Sequence, residues 1–386
     1  GAGYARNRAI ELNSKENRNP NYAHRFLCLL DSDDVMHVHR VAEQTNHMLQ
    51  LPSDERQLCL LGCTFDRDPP DSTWHYSAWA NSLSDERLSL ERFREVCILQ
   101  PTWFMCRFRW LELGGYVEAP PTNSETALDV LRQDEGTYQR LIHPLYDDAA
   151  SLKLAEDLRF FHEHLQAGGI LRLHRSEIPL VTYRHSGASQ SFRTSRRLLL
   201  QLRVLAFERT VLQKNWLKEN NGRFIIWGAG RDGKEVVKAM SADVRNRIYC
   251  FVDVDAKKLN VGRYMNRQLD LDIPIVHFSF LIKDAQIRQA VQQQWEEGGG
   301  KDFTDGRIDK SRNKTVPLAG VKDDTSPIPK RRKVALALDA RGLSEHHLHA
   351  LPVVVCVAMY RTNGVLEKNV KSIGRTEGRD LWHFSQ

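Results

Sequence analysis

The chain has 386 residues, of which 41% are hydrophobic and 27% are charged, as expected of a globular protein with two or three domains. No apolar run approaches the roughly 18 residues that a membrane span needs, which excludes a helical membrane protein, and no signal peptide is visible. The net charge of +6 permits a polyanionic partner without requiring one.

The first 20 residues open with small side chains followed by a helical pattern, which predicts a helix N-terminus close to Gly3. Backbone N–H groups and the helix dipole favour an anion at such a position. Arg6 and Asn7 fall in the first turn, where they can donate hydrogen bonds to phosphate or ribose. An ordinary helix start is the alternative interpretation.

A short apolar run over residues 25–30 ends in three carboxylates, those of Asp31, Asp33 and Asp34. The run predicts a buried strand, and unpaired charge cannot lie inside such a strand, so the acids should follow its carboxyl end. Asp31 and Asp33 flank Ser32, and a bend there lets both reach one ligand. Such oxygen ligands suit Mg²⁺ or Mn²⁺. Capping of the next helix is the alternative.

Further on, the pattern predicts a helix from 39 to 51, a strand over 57–65, and then a proline-bearing loop. The loop leads into an aromatic segment that contains Trp74 and Trp79. These rings are candidates for stacking on a base or sugar, and core packing is the alternative.

Residues 98–117, which include Trp103, predict an aromatic strand that leads to a turn at Gly114 and Gly115. Paired glycines permit close approach of the backbone to a ligand, or they simply end a helix. Residues 118–150 have mixed polarity and are predicted to be an insertion that leaves the main fold and returns to it.

An amphipathic helix is predicted over residues 155–166, with Glu156 and Asp157 in its first turn, where either acid alone fits a helix cap. His162 and His164 are predicted to be packing or surface residues rather than metal ligands. A strand over 178–185 follows, which ends in Arg184 and His185, and a basic helix is predicted over 194–220.

The second half restarts with strand, glycine turn and helix, with G-x-G-x-x-G at Gly228, Gly230 and Gly233. Asp253 ends the next strand, so the pattern is that of a Rossmann fingerprint. We interpret residues 216–386 as a Rossmann-like domain with a structural or regulatory role. Within it, residues 286–350 are predicted to be a disordered insertion.

Two features of the sequence indicate the cellular compartment of the protein. Seven cysteines without a CxxC pair predict buried, reduced thiols and a cytoplasmic protein. The basic run over 330–333 resembles a nuclear-import patch, which permits a nuclear fraction, or it is a solvated charge run.

Four motifs of the first half, in this order along the chain, resemble the large inverting glycosyltransferase family with the GT-A fold. They are the small-Ala-Arg-Asn helix start, the DxD acids, the Gly-Gly-aromatic turn and the Glu-Asp pair; a later Tyr-Arg-His element matches loosely. The matching positions are Gly3, Ala5, Arg6, Asn7, Asp31, Ser32, Asp33, Gly114, Gly115, Tyr116, Glu156, Asp157, Tyr183, Arg184 and His185.

Several longer stretches, among them residues 3–9, 66–73 and 382–385, are similar to one branch of this family, the tRNA-queuosine galactosyltransferases. The resemblance covers most of 1–285 and 351–386. It implies a GT-A domain over 1–215 and transfer of galactose from UDP-galactose to queuosine in a tRNA anticodon loop.

The resemblance also implies roles for individual residues. Asp33, with His185 and Asp31, would hold Mn²⁺ or Mg²⁺ against the diphosphate. Asp157 would be the general base of an inverting single displacement, and Glu156 would orient donor or acceptor. The remaining positions of the motifs would bind the donor; these are Gly3, Arg6, Asn7, Asp31, Ser32, Gly114, Gly115 and Arg184. The acceptor nucleotide would stack on Trp74, Trp79 or Trp103.

The family begins with a βαβ unit that has no counterpart here, so the chain is expected to start inside the fold and to be weakly active or inactive. Two other functions remain open. One is a UDP-sugar (N-acetylglucosamine) transferase of the same fold that acts on protein, lipid or glycan. The other is a non-enzymatic nucleotide-binding protein. The sequence leaves the oligomeric state undetermined.

Overall fold

The computed structural model describes most of the chain and divides it into two compact units, Gly1–Thr210 and Val211–Gln386. Both units mix helices with parallel and antiparallel strands, so the predicted α/β class is confirmed at this level. No helix within the described ranges is long and apolar enough to cross a membrane. The described residues are 2–15, 26–118, 140–142, 151–185, 194–218, 222–297, 348–357, 362 and 364–384.

The first unit contains two sheets. A four-stranded sheet has the order β1-β5-β3-β6, in which β3 and β6 are parallel and β5 runs antiparallel to β1 and β3. A three-stranded sheet has the order β2-β7-β4, in which β7 is antiparallel to β2 and parallel to β4. The strands are β1 (Phe26–Cys28), β2 (Val35–Met36), β3 (Cys59–Cys63), β4 (Phe65–Asp68), β5 (Phe104–Cys106), β6 (Ile170–His174) and β7 (Val181–Arg184).

Helices cover these sheets, and those predicted for the segments after His39 and around Glu156 and Arg196 are confirmed. The helix that contains Glu156 is confirmed, but its predicted amphipathic character is wrong, because every residue from Leu158 to His164 is buried and two full turns are enclosed by the fold. The helices are α1 (Ala2–Lys15), α2 (Arg40–Gln50), α3 (Ser53–Leu58), α4 (Trp74–Ser82), α5 (Asp85–Glu91), α6 (Arg107–Glu112), α7 (Glu156–Gln166) and α8 (Arg196–Phe207). A π-helix (Glu208–Trp216) follows α8 and continues into the second unit.

The predicted aromatic strand over 98–117 is wrong on both sides of its centre, where Gln100–Thr102 forms a 3-10 turn and Arg107–Glu112 forms a helix. Only Phe104–Cys106 is a strand, and α6 follows it directly. Arg109 and Trp110 are buried on this helix, and Arg109 Nη2 donates to the carbonyl oxygens of His164 and Ala167, each at 2.9 Å. These long-range contacts override the strand preference of the aromatic residues.

The second unit is an open sheet with the order β10-β11-β9-β8-β12-β13. All neighbours are parallel except β10, which is antiparallel to β11. β8 and β9 are buried throughout, which fits their unbroken apolar sequences. The elements are β8 (Phe224–Trp227), α9 (Arg231–Ala239), α10 (Ala242–Arg245), β9 (Ile248–Asp253), α11 (Ala256–Val261), β10 (Arg263–Asn266), β11 (Leu271–His277), α12 (Ala285–Glu297), β12 (Val353–Val355), α13 (Val365–Ser372) and β13 (Leu381–His383).

The start of the predicted disordered insertion is wrong, because residues 286–297 belong to α12. Val291 packs on the core of this unit, and Trp295 Nε1 donates to Val254 O at 2.8 Å. The glutamines of this segment are good helix formers, which the compositional prediction overlooked. The rest of the predicted insertion up to 347, and most of the predicted excursion over 118–150, lie outside the described residues.

All seven cysteines are free thiols, and six of them are buried, so the prediction of reduced cysteines is confirmed; Cys28 is half-buried. His162 and His164 are buried in α7, so of their two predicted roles packing is confirmed.

The burial of these two histidines predicts that the fold becomes less stable in acid. Burial lowers the pKa of each imidazole from 6.5 to about 3. As the pH falls, the two histidines take up protons in the unfolded chain before they do so in the folded chain. The contribution of these histidines to stability is therefore complete above about pH 6.5 and is lost as the pH falls toward 3. Each pKa unit corresponds to about 1.4 kcal/mol per histidine. Urea unfolding followed by circular dichroism should show a falling midpoint between neutral pH and about pH 4.

The control is His162→Phe, which keeps the ring that stacks on Phe93 and removes one titrating group. This variant should lose less stability on acidification than the wild type. An acid dependence that is unchanged by the substitution would contradict the assignment to His162.

Candidate functional site

The acidic turn lies directly after β1. Leu29 N donates to Trp103 O at 2.9 Å, which fixes the end of the strand, and Asp34 N donates to Asp31 O at 3.2 Å, which closes the turn. Ser32 and Asp33 are exposed at its tip, whereas Asp31 and Asp34 are half-buried. The carboxylates therefore follow the strand as predicted, but the prediction that this strand is buried is wrong: β1 is half-buried because it lies at the edge of its sheet.

Arg6 joins two of the predicted motifs. Its Nη2 donates to Asp31 Oδ1, and its Nη1 donates to Glu156 Oε1 at 2.9 Å. All three side chains are less than one third exposed, so the ion pairs are only partly screened by solvent. One guanidinium on α1 thus connects the acidic turn to the start of α7.

Asn7 joins α1 to the glycine turn. Its Oδ1 accepts a hydrogen bond from Tyr116 N at 3.0 Å, and its Nδ2 donates to Tyr116 O at 2.9 Å. A side-chain amide that satisfies both backbone groups of one residue holds that residue in a fixed orientation. Asn7 is buried and committed to this pairing, and Nδ2 also donates to Glu118 Oε1 at 2.8 Å.

Gly3 and Gly115 complete the packing of this cluster. A Cβ on Gly3 would lie 3.1 Å from Tyr116 Cβ and 3.3 Å from Glu156 Cβ, so the helix start packs tightly against both motifs. Gly115 has φ +64°, in the left-handed region that favours glycine. The four separate motifs of the first half therefore meet in one place.

Gly115→Ala is expected to destabilise the first unit by about 3 kcal/mol or more. The added Cβ would lie 2.6 Å from Asn7 Oδ1 and 3.0 Å from Trp110 Nε1, and the backbone would also carry left-handed strain. Gly168→Ala is the matched control: Gly168 has φ +77° and no atom within 4 Å of its added Cβ, so only the strain applies. Equal unfolding midpoints for the two variants would contradict the clash.

The first turn of α7 carries Glu156 and Asp157. Ala155 precedes them with φ +54°, a left-handed conformation unusual for alanine, so the local backbone is strained. Burial, and then the neighbouring Glu156 carboxylate, raise the pKa of Asp157 to about 7. Asp157 Oδ1 accepts a hydrogen bond from Leu158 N at 2.8 Å. This carboxyl group is therefore poised to exchange a proton near neutral pH.

The end of β7 lies beside the acidic turn. Arg184 N donates to Asp34 Oδ1 at 2.9 Å, and His185 N donates to Asp68 O at 2.8 Å. The Arg184 side chain is more than half exposed and pairs with Asp68 Oδ2 at 3.5 Å. Burial raises the pKa of Asp34 to about 6. The structure thus brings Arg184 and His185 to the acidic turn, 150 residues away in sequence.

The oxygen and nitrogen donors here have the chemistry that a divalent cation requires, and Asp34 Oδ2 is a buried oxygen without a hydrogen-bond partner. Asp33 is exposed at the tip of the turn, whereas Asp31 already pairs with Arg6. In the part of the chain that the structure describes, no three His, Cys, Asp or Glu side chains form a ready metal cluster.

The three tryptophans predicted to stack on an acceptor differ in their exposure. Trp103 is buried in the core and its Nε1 donates to Ile98 O at 2.8 Å, so the prediction that it stacks on a nucleotide is wrong. Trp79 packs against a core cluster of the first unit. Trp74 is 53% exposed and is the one of the three that presents its ring to solvent.

In the second unit the predicted glycine turn connects β8 to α9. A Cβ on Gly233 would lie 1.9 Å from Gly228 O, so only glycine permits this approach of helix and strand. Asp253 Oδ2 accepts hydrogen bonds from Ala229 N at 2.7 Å and Lys258 Nζ at 2.9 Å. The acid that the fingerprint assigns to a ribose is therefore engaged within the protein.

Sequence reasoning named Asp34 among the acids without giving it a role, and it did not identify Asp68 or Gln100 at the first-unit site. Asp34 closes the acidic turn, Asp68 anchors His185, and Gln100 Nε2 donates to Tyr116 Oη at 2.6 Å. Asp34 stood next to the DxD acids and could have been found from that position. The other two contacts are long-range and leave no local signal.

No protein-family model matches the chain, and no solved structure matches it.

Proposed function

We propose that the chain is a metal-dependent glycosyltransferase that uses a UDP-sugar and has a GT-A arrangement in its first unit. The observation that carries the proposal is the convergence of the four motifs. Arg6 contacts both Asp31 and Glu156, and Asn7 fixes Tyr116. A mixed sheet with carboxylates at the end of one strand supports the same proposal. The parallel sheet and glycine turn of the second unit support a Rossmann-like domain.

Within this proposal, Asp33 and His185 would hold Mn²⁺ or Mg²⁺, and Asp31 would contribute its second carboxylate oxygen or contact the ribose. The bound cation supplies charge neutralisation of the diphosphate as UDP leaves. The positively charged side chain of Arg6 pairs with Asp31 and Glu156 and holds both carboxylates in place, which keeps the site preorganised. The backbone at Gly114 and Gly115 approaches the sugar.

Asp157 is the proposed general base. It takes the proton from the acceptor hydroxyl while the oxygen forms a bond to the anomeric carbon and the bond to the UDP oxygen breaks. A base with a pKa near 7 combines a useful ionised fraction with proton affinity at neutral pH. One displacement inverts the anomeric centre and needs no covalent nucleophile.

The proposed acceptor is queuosine in the anticodon loop of a cytoplasmic tRNA, and the donor is UDP-galactose. The support is the sequence resemblance, together with a net charge of +6 and the exposed ring of Trp74. Unpaired loop bases stack on such rings, and cationic surfaces hold phosphates.

The test is incubation of the full chain with UDP-galactose, Mn²⁺ and queuosine-bearing tRNA, followed by mass spectrometry of the nucleosides. Because the sequence leads us to expect weak activity, the reaction is run for a long time at high protein concentration. The expected result is a slow addition of hexose to queuosine, with the matching tRNA that lacks queuosine left unmodified. Failure to gain this mass would overturn the acceptor. Hydrolysis of UDP-galactose without tRNA modification would instead favour a glycosyltransferase with a protein, lipid or glycan acceptor.

A further inference from the structure

Asp34 connects two segments of the first unit that carry the proposed cation ligands. Its Oδ1 accepts a hydrogen bond from Arg184 N at 2.9 Å. Its own N–H donates to Asp31 O and closes the acidic turn. Asp33 precedes Asp34 in the chain and His185 follows Arg184, so this one carboxylate lies between the two ligand-bearing positions.

The strand pairing around this contact is short. β2 pairs with β7 over only two positions, Val35 with Thr182 and Met36 with Val181. A ladder of this length is weak by itself. The bond from Arg184 N to Asp34 therefore extends the pairing beyond β2 to the turn, and it limits how far the turn can move from the end of β7.

A contribution to stability does not by itself explain why an aspartate occupies position 34. Its Oδ2 is buried without a hydrogen-bond partner in the described structure. A buried, unpaired carboxylate oxygen costs free energy, and residues retained at such a cost are typical of functional sites.

We propose that Asp34 is a positioning residue that fixes the separation of Asp33 and His185 for the divalent cation. This inference rests on the proposed function, because it assumes that these two side chains hold the cation. Asp34 acts through its bond to the main chain of β7.

The test compares Asp34→Ala, which removes the acceptor, with Asp34→Asn, whose side-chain carbonyl retains it. Peptide-resolved hydrogen exchange over residues 181–185 reports the bond to Arg184 N without any metal. Calorimetric titration of UDP at a series of Mn²⁺ concentrations reports the cation site. Thermal unfolding without ligand checks the fold.

Asp34→Ala is expected to speed exchange in this segment and to raise the Mn²⁺ concentration for half-maximal UDP binding by about tenfold, which corresponds to about 1.4 kcal/mol. The affinity for UDP without metal and the Tm should stay close to wild-type. Asp34→Asn should resemble the wild type in all four measurements. A merely structural residue would instead lower the Tm and leave the Mn²⁺ dependence unchanged.

The outcomes separate this inference from the proposed function. If the wild type shows no Mn²⁺-dependent UDP binding, the proposed function fails, whatever the exchange experiment shows. If the wild type binds and Asp34→Ala has the same Mn²⁺ dependence, the positioning role is overturned. If both variants lose the Mn²⁺ response while exchange over 181–185 is unchanged, Asp34 contacts the cation directly and the positioning role is again overturned.

Discussion

Asp157→Asn is expected to lower the rate of sugar transfer by about 10²–10⁴-fold while UDP binding persists. The amide keeps the shape of the side chain and its bond from Leu158 N, but it cannot take the proton from the acceptor hydroxyl. Transfer is measured as hexose gain on queuosine, and UDP binding by calorimetry. Loss of both together would indicate misfolding of the site rather than loss of a base.

The wild-type pH profile follows from the same group. Burial and the neighbouring Glu156 raise the pKa of Asp157 to about 7. Because only the ionised form accepts a proton, kcat/KM should rise with pH through about 7 and level off above it. The residual activity of Asp157→Asn should not show this rise of kcat/KM with pH. A profile that is flat from pH 5 to pH 9 in the wild type would exclude Asp157 as the base.

Although Asp157→Asn is expected to lower activity, it is expected to raise the stability of the fold. The pKa of Asp157 in the folded chain lies above the ordinary aspartate value of 3.8, so the ionised carboxylate opposes folding increasingly as the pH rises from about 4 to about 7. Asp157→Asn removes this penalty and should raise the Tm at pH 8 by a few degrees, since about 1 kcal/mol shifts the Tm of such a domain by about 2–4 °C. Asp54→Asn, an exposed acid in the first turn of α3, should leave activity and Tm unchanged.

Arg6→Met is expected to weaken both the folded state and the binding of UDP. The substitution leaves the carboxylates of Asp31 and Glu156 without their shared cation. We expect a loss of about 1–3 kcal/mol in the free energy of unfolding, the usual range for hydrogen bonds to charged groups. UDP affinity should fall as well, because Asp31 loses its fixed orientation. Urea unfolding and calorimetry measure the two effects.

Arg8→Met is the matched control on the same helix. Arg8 is 43% exposed and pairs with Glu11 and Glu118 at the surface, and such pairs contribute little. Its unfolding midpoint and UDP affinity should therefore stay close to wild-type. Glu156→Gln in the Arg6→Met background should restore part of the lost stability, because it removes one of the two unpaired charges. Equal effects of Arg6→Met and Arg8→Met would contradict the bridging role of Arg6.

Local sequence signals located several parts of the candidate site correctly. The apolar run before Asp31 placed the acids after a strand, because charge cannot lie unpaired inside one. The spacing of Leu158 and Phe161 placed Glu156 and Asp157 in the first turn of α7. Both inferences depend only on neighbours within a few residues, which is the range over which backbone periodicity and turn chemistry act.

The tertiary structure alone decided what these residues contact. The partners of Arg6 lie 25 and 150 residues away, and the contact of Asp34 with Arg184 also spans 150 residues. Trp103 was a candidate stacking residue by its type, and packing in the core removes it from that role. The sequence by itself located several of the strands, turns and helices, but it did not predict α6 or α12. The folded chain decided which charges neutralise one another and which rings remain exposed, because both depend on long-range packing.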